Sequence, residues 1–134
     1  MAVELAKKRR EGLLLWHAVQ PEAGDPGLPY VEPMRADFAA YLESEAERLR
    51  KEGLVVASEV VVGWPEHELP ARMPSDTTLI VAGARGHARG THWLVGSVVE
   101  RFARVVTVPL LVVRHAPSLQ QWLRGAHELN VMVA

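Results

Sequence analysis

Apolar runs of strand length alternate along this chain with segments of helical period. That alternation constrains the fold more than any other feature. Residues 13–19 are a continuous apolar run closed by Pro21. Residues 54–62 are rich in valine, 77–82 and 105–113 are two further runs, and 128–133 read as a fifth. Behind Pro33, Met34, Phe38, Leu42, Ala46 and Leu49 recur at helical spacing, with Glu43, Glu45, Glu47, Arg48, Arg50 and Lys51 on the other face. Residues 2–10 read as the end of a helix, with cations in the last turn and Gly12 as its stop. Short helices are predicted over 66–73, where Pro70 should disturb the turn, and over 97–104, with one or two helical turns at 118–124. The predicted fold class is α/β: a three-layer, open, mostly parallel sheet of about five strands.

The chain has 134 residues, which predicts a single domain over 1–134. It contains no cysteine, which excludes a disulfide scaffold, a zinc ribbon and a thiol nucleophile and fits a reducing cytoplasmic setting. The net charge of −1, from 15 basic and 16 acidic residues, gives no electrostatic case for nucleic acid. The run Leu13-Leu14-Leu15-Trp16 falls far short of the ~20 residues of a membrane span, and no secretory signal is visible.

The stretch richest in chemistry is Gly83-Ala84-Arg85-Gly86-His87-Ala88-Arg89-Gly90, followed by Thr91-His92-Trp93-Leu94-Val95-Gly96-Ser97. It leaves a predicted strand and enters a predicted helix. Glycines let backbone N–H groups approach a ligand. Ser97-Val98-Val99-Glu100 has the pattern of a capping box, with Ser97 as the N-cap. The free N–H groups of that turn suit an anion, and Arg85 and Arg89 add charge nearby. Local chemistry alone leaves two readings open: a phosphate site, or turns and a helix cap with no ligand.

Gly83, two residues, Gly86, nine residues, Gly96 and then Ser97 resembles the nucleotide-binding signature of the universal stress proteins. Leu79-Ile80-Val81-Ala82 before it, Gly96-Ser97-Val98-Val99-Glu100-Arg101 within it and Val108-Pro109-Leu110-Leu111-Val112-Val113-Arg114 after it agree. Leu13-Leu14-Leu15-Trp16-His17-Ala18-Val19 resembles the family's second strand, so the likeness covers roughly residues 2–114. The resemblance implies an adenine-nucleotide α-hydrolase-like sandwich, usually a homodimer. It also implies ATP or AMP as ligand, with Mg²⁺ as an optional companion. Carried over, Gly83, Gly86, Gly96, Ser97 and Val98 would contact phosphates and ribose, and the backbone of Ala18 would lie near adenine.

One departure stands out. Family members begin with a strand ending in an Asp-containing loop that contacts the nucleotide, whereas this sequence opens on a helix. Residues 128–134 resemble such a first strand without the Asp. They are expected to fill the missing slot, from the same chain or a partner, because an empty slot leaves unpaired backbone groups.

The other polar residues have plainer readings. His87 and His92 lie five apart with no cysteine or acidic pair beside them, so no metal site is expected. His17 reads as a core or rim residue, and His67-Glu68 lacks the second His of a zinc-protease helix. Gly96-Ser97-Val98 lacks the glycines of a nucleophile elbow. Trp16, Trp64, Trp93 and Trp122 read as core or interface residues, with Trp93 also placed to cover a ligand. The reading that results is a nucleotide-binding regulator without a dedicated enzymatic activity; no general base or metal-holding acid can be named. The alternatives are a dimeric interaction protein of the same fold that binds no nucleotide, and a small hydrolase or transferase of the wider superfamily.

Overall fold

The computed structural model describes residues 1–21, 29–83 and 97–113. Helix α1 (Ala2–Arg9) leads into strand β1 (Leu13–Val19), then helix α2 (Val31–Lys51) and strand β2 (Val56–Val62). Helix α3 (Pro65–Arg72) and strand β3 (Ile80–Gly83) follow, then helix α4 (Ser97–Val105) and strand β4 (Leu110–Val113). The alternation read from the sequence is therefore real. The predicted turns at 118–124 and the strand at 128–133 lie outside the described residues.

The element ends differ from expectation for local reasons. Helix α1 stops before Gly12: Arg10 takes the left-handed conformation (φ 59°), and its N–H reaches the Ala6 carbonyl. Pro65 occupies the first turn of α3, where a missing N–H costs nothing, and Pro70 sits inside the same short helix, which ends two residues later at Arg72. Helix α4 runs on to Val105, so the last strand begins only at Leu110, beyond Pro109. At the end of β2, Gly63 (φ 151°) has no room for a Cβ, which would meet Glu68 Cγ at 2.7 Å.

Strand β1 pairs with β2 in parallel, from Leu13 opposite Val56 to Val19 opposite Val62. Strand β3 pairs with β4 in parallel, from Ile80 opposite Leu110 to Gly83 opposite Val113. Among the described residues these are two separate two-stranded sheets, β1-β2 and β3-β4, where the sequence led us to expect one of about five strands.

Alternation along the strands sorts the helices into two outer layers. Leu13, Leu15 and Val56 pack with Val3 and Ala6 of α1 and with Ala46 and Leu49 of α2. His17 lies on the same face, its ring 4.0 Å from that of Phe38 and tilted by 30°. Ala46 is fully buried and Leu49 is 2% exposed, so this is the tightest part of the core. Ser58, also on this face, donates to Glu43 at 2.6 Å, while Arg50 donates to Glu43 and to the Val56 carbonyl. The opposite face carries α3 and α4, with Leu69, Val99 and Phe102 buried. Glu59, on that face of β2, receives Arg72 of α3.

A cavity of about 1040 Å³ separates the two sheets. Leu14 and Trp16 of β1, and Ile80, Val81 and Gly83 of β3, line it. At its amino-terminal end the Thr78 hydroxyl donates to Glu11 Oε2 at 3.1 Å. Glu11 precedes β1 by two positions and Thr78 precedes β3 by two, so the bond spans the foot of the gap between the two strands.

Candidate functional site

The two ends of the glycine motif stand on regular elements. Gly83 is the last residue of β3 and is exposed. Ser97 is the first helical residue of α4, one position later than the N-cap role read from the sequence. Val98 follows in the first turn and is half-buried, and Ala18 is the penultimate residue of β1. Ala18 and Gly83 thus sit at the carboxyl ends of parallel strands, where open α/β sheets bind ligands. Gly86, Arg85, Arg89 and Gly96 lie outside the described residues, as do His87, His92 and Trp93.

The start of α4 is held by contacts that neither its own pattern nor the glycine motif signals. Arg101 Nη1 meets Glu66 Oε1 of α3 at 3.2 Å, and the Glu66 side chain is only 11% exposed. The same guanidinium lies over Trp64, 5.9 Å from the ring centroid. Val99 and Phe102 are buried beside them, so the helix is fixed by both polar and apolar contacts. An α4 so anchored presents its amino-terminal N–H groups in a set direction, as an anion site requires. Ion pairs separated by dozens of residues leave no local trace in a sequence, which is why this clamp was missed.

The remaining polar clusters are structural. The carboxyl of Glu43 is lowered from its ordinary pKa, first by the Arg50 hydrogen bond and then by that of Ser58. Lys7 does the same for Glu52, assisted by Arg48. Arg35 pairs with Glu32 at the start of α2. Among the described residues no group of three His, Cys, Asp or Glu side chains could hold a metal ion. His17, read from the sequence as a core or rim residue, is half-buried with its ring against that of Phe38.

A model of the universal stress protein family matches residues 1–114. The chain belongs to that family. It is similar to universal stress protein YxiE of Bacillus subtilis (strain 168), 28% identical over 127 residues, with 84% of this chain and 86% of that one covered. Among solved structures, hypothetical protein MJ0577 superimposes with a TM-score of 0.63 at 23% identity, over 86% of this chain and 87% of its own. Universal stress protein UspA from Lactobacillus plantarum gives 0.62 at 23% identity, over 84% of each chain. Protein PH0823 gives 0.60 at 24% identity, again over 84% of each. At such identities the likeness establishes the fold, an α/β architecture shared with these proteins. Among the described residues, no helix is long and apolar enough to cross a membrane.

Proposed function

We propose that this universal stress protein is a regulator that binds an adenine nucleotide, ATP or AMP, at the carboxyl ends of β1 and β3. One observation carries the reading: β3 ends at Gly83 and α4 begins at Ser97, so the glycine motif spans a strand end and a helix start. Phosphates then lie against the N–H groups of the first turn of α4, beside Ser97 and Val98. Gly83, Gly86 and Gly96 supply close backbone approach, and Arg85 and Arg89 supply charge. The adenine base lies by the backbone of Ala18. Mg²⁺ accompanies the triphosphate as its counter-ion and needs no protein ligand set. The chain acts by occupancy rather than turnover and works as a cytoplasmic homodimer.

A second reading is a dimeric interaction protein without a nucleotide. The pairing of β4 favours it: among the described residues β4 pairs only with β3, which leaves its outer edge for a second copy. Titration calorimetry with ATP and AMP, with and without Mg²⁺, separates the two. The nucleotide reading expects saturable binding in the micromolar range, on the order of −8 kcal/mol, abolished by Gly96→Val. Absence of heat and of thermal stabilisation at millimolar nucleotide would leave the interaction reading.

A further inference from the structure

The cavity between β1 and β3 has the chemistry of a strand position that none of the described residues fills. The Leu13 N–H donates to the Val55 carbonyl and the Gly63 N–H to the Val19 carbonyl, so the odd-numbered residues of β1 bond toward β2. Backbone groups alternate in direction along a strand, so those of Leu14, Trp16 and Ala18 point away from β2, on the side where Leu14 and Trp16 line the cavity. The Ile80 N–H donates to the Pro109 carbonyl, so Ile80 and Ala82 bond toward β4 and Val81 and Gly83 point into the cavity from the far side. Two rows of strand donors and acceptors therefore face each other across an apolar space. Strands at the centre of a parallel sheet are ordinarily buried on both faces. Here no residue of β3 is buried, and in β1 only Val19 is. The Trp16 indole nitrogen is itself buried without a hydrogen-bond partner among the described residues.

We propose that residues 128–133 of the same chain fill this position, parallel to β1 and β3, and join the two sheets into one of order β2-β1-(128–133)-β3-β4. Three features of the chain select this occupant. Strand β4 ends at Val113, at the carboxyl side of its sheet, so a parallel strand must first return to the amino side. That return takes a dozen or so residues, and residues 114–127 supply 14. The landing point lies two strand spacings from β4, about 10 Å, well within the reach of that connection. Finally, residues 128–133 extend about 20 Å, and they carry Leu129, Val131 and Val133 on one face and Met132, with Glu128 and Asn130, on the other.

The test is amide hydrogen exchange on the full chain, read at Leu14, Trp16, Ala18, Val81 and Gly83. The proposal expects these amides to be protected like those of Leu15 and Ala82. A Val131→Asp/Val133→Asp variant should speed their exchange about tenfold or more while leaving Leu15 and Ala82 less affected. Rapid exchange of the five amides in the unaltered chain would overturn the proposal, as would protection that survives deletion of residues 126–134. A second measurement does not depend on a destabilising variant. The chain has no cysteine of its own. Ala82→Cys is combined in turn with Val131→Cys, Met132→Cys and Val133→Cys, and each pair is oxidised. At least one pair should close a disulfide within a single chain. Dimers cross-linked between chains would show that a partner's strand fills the position, and no disulfide in any pair would place residues 128–133 elsewhere; both results contradict the proposal.

Discussion

Thr78 donates its hydroxyl to Glu11 across 3.1 Å, and in doing so ties the amino end of β3 to the amino end of β1, 67 residues earlier in the chain. This bond crosses the foot of the cavity between the two sheets. It joins the segments that lead into both strands, which run on to Val19 and Gly83.

Carboxylates at the seams of the fold set its response to acid. Glu11 is held below the usual carboxylate range by the hydrogen bond from Arg9 and then by that from Thr78. Glu43 and Glu52 are lowered in the same way by Arg50 and Lys7. Each folded-state value lies below the unfolded value of about 4.3. Their stabilisation is therefore fully present above that pH and lost as pH falls through the folded values. Thermal unfolding followed from pH 7 to pH 3 should show the midpoint falling below about pH 5. A Glu43→Gln variant should start lower and fall less steeply.

The packing of α2 is the main store of stability. Leu49 is 2% exposed and touches a cluster that includes the fully buried Ala46. Leu49→Ala should cost about 2–5 kcal/mol, and Ala46→Leu about 1–3 kcal/mol through overpacking. Urea unfolding monitored by circular dichroism reads both.

The clamp on α4 links stability to the candidate site. Removing the guanidinium in Arg101→Ala leaves the Glu66 carboxylate, with its side chain 11% exposed, without its 3.2 Å partner. Destabilisation of about 1–3 kcal/mol is expected. If α4 orients the nucleotide, affinity for ATP should also fall in this variant under conditions where it remains folded.

Arg10 is the one non-glycine residue with positive φ among the described residues. It closes α1 in a conformation that glycine adopts at no steric cost. Arg10→Gly should therefore stabilise the protein by up to about 1 kcal/mol, measured as a rise in the urea midpoint at constant slope.

The sequence carried the order of the elements because strand runs and helical periods are local patterns. The α2 stripe from Met34 to Leu49 and the valines of β2 are sufficient by themselves. Element ends were harder. Arg10 closes α1 by taking a left-handed turn, a job the sequence assigned to Gly12, and α3 runs past Pro70 to Arg72. The frame of the candidate site was legible because Gly83 and Ser97 mark a strand end and a helix start. The contacts that orient that frame were not, since Arg101 with Glu66 and Thr78 with Glu11 meet only after the chain has folded.

The most direct test of nucleotide binding at the strand ends is a backbone amide NMR titration with ATP. The account expects saturable shifts at Ala18, Gly83 and Val98, with little change at Lys7, Lys8 and Arg9 on the opposite edge. Shifts confined to those basic residues, or none at millimolar ATP, would contradict it.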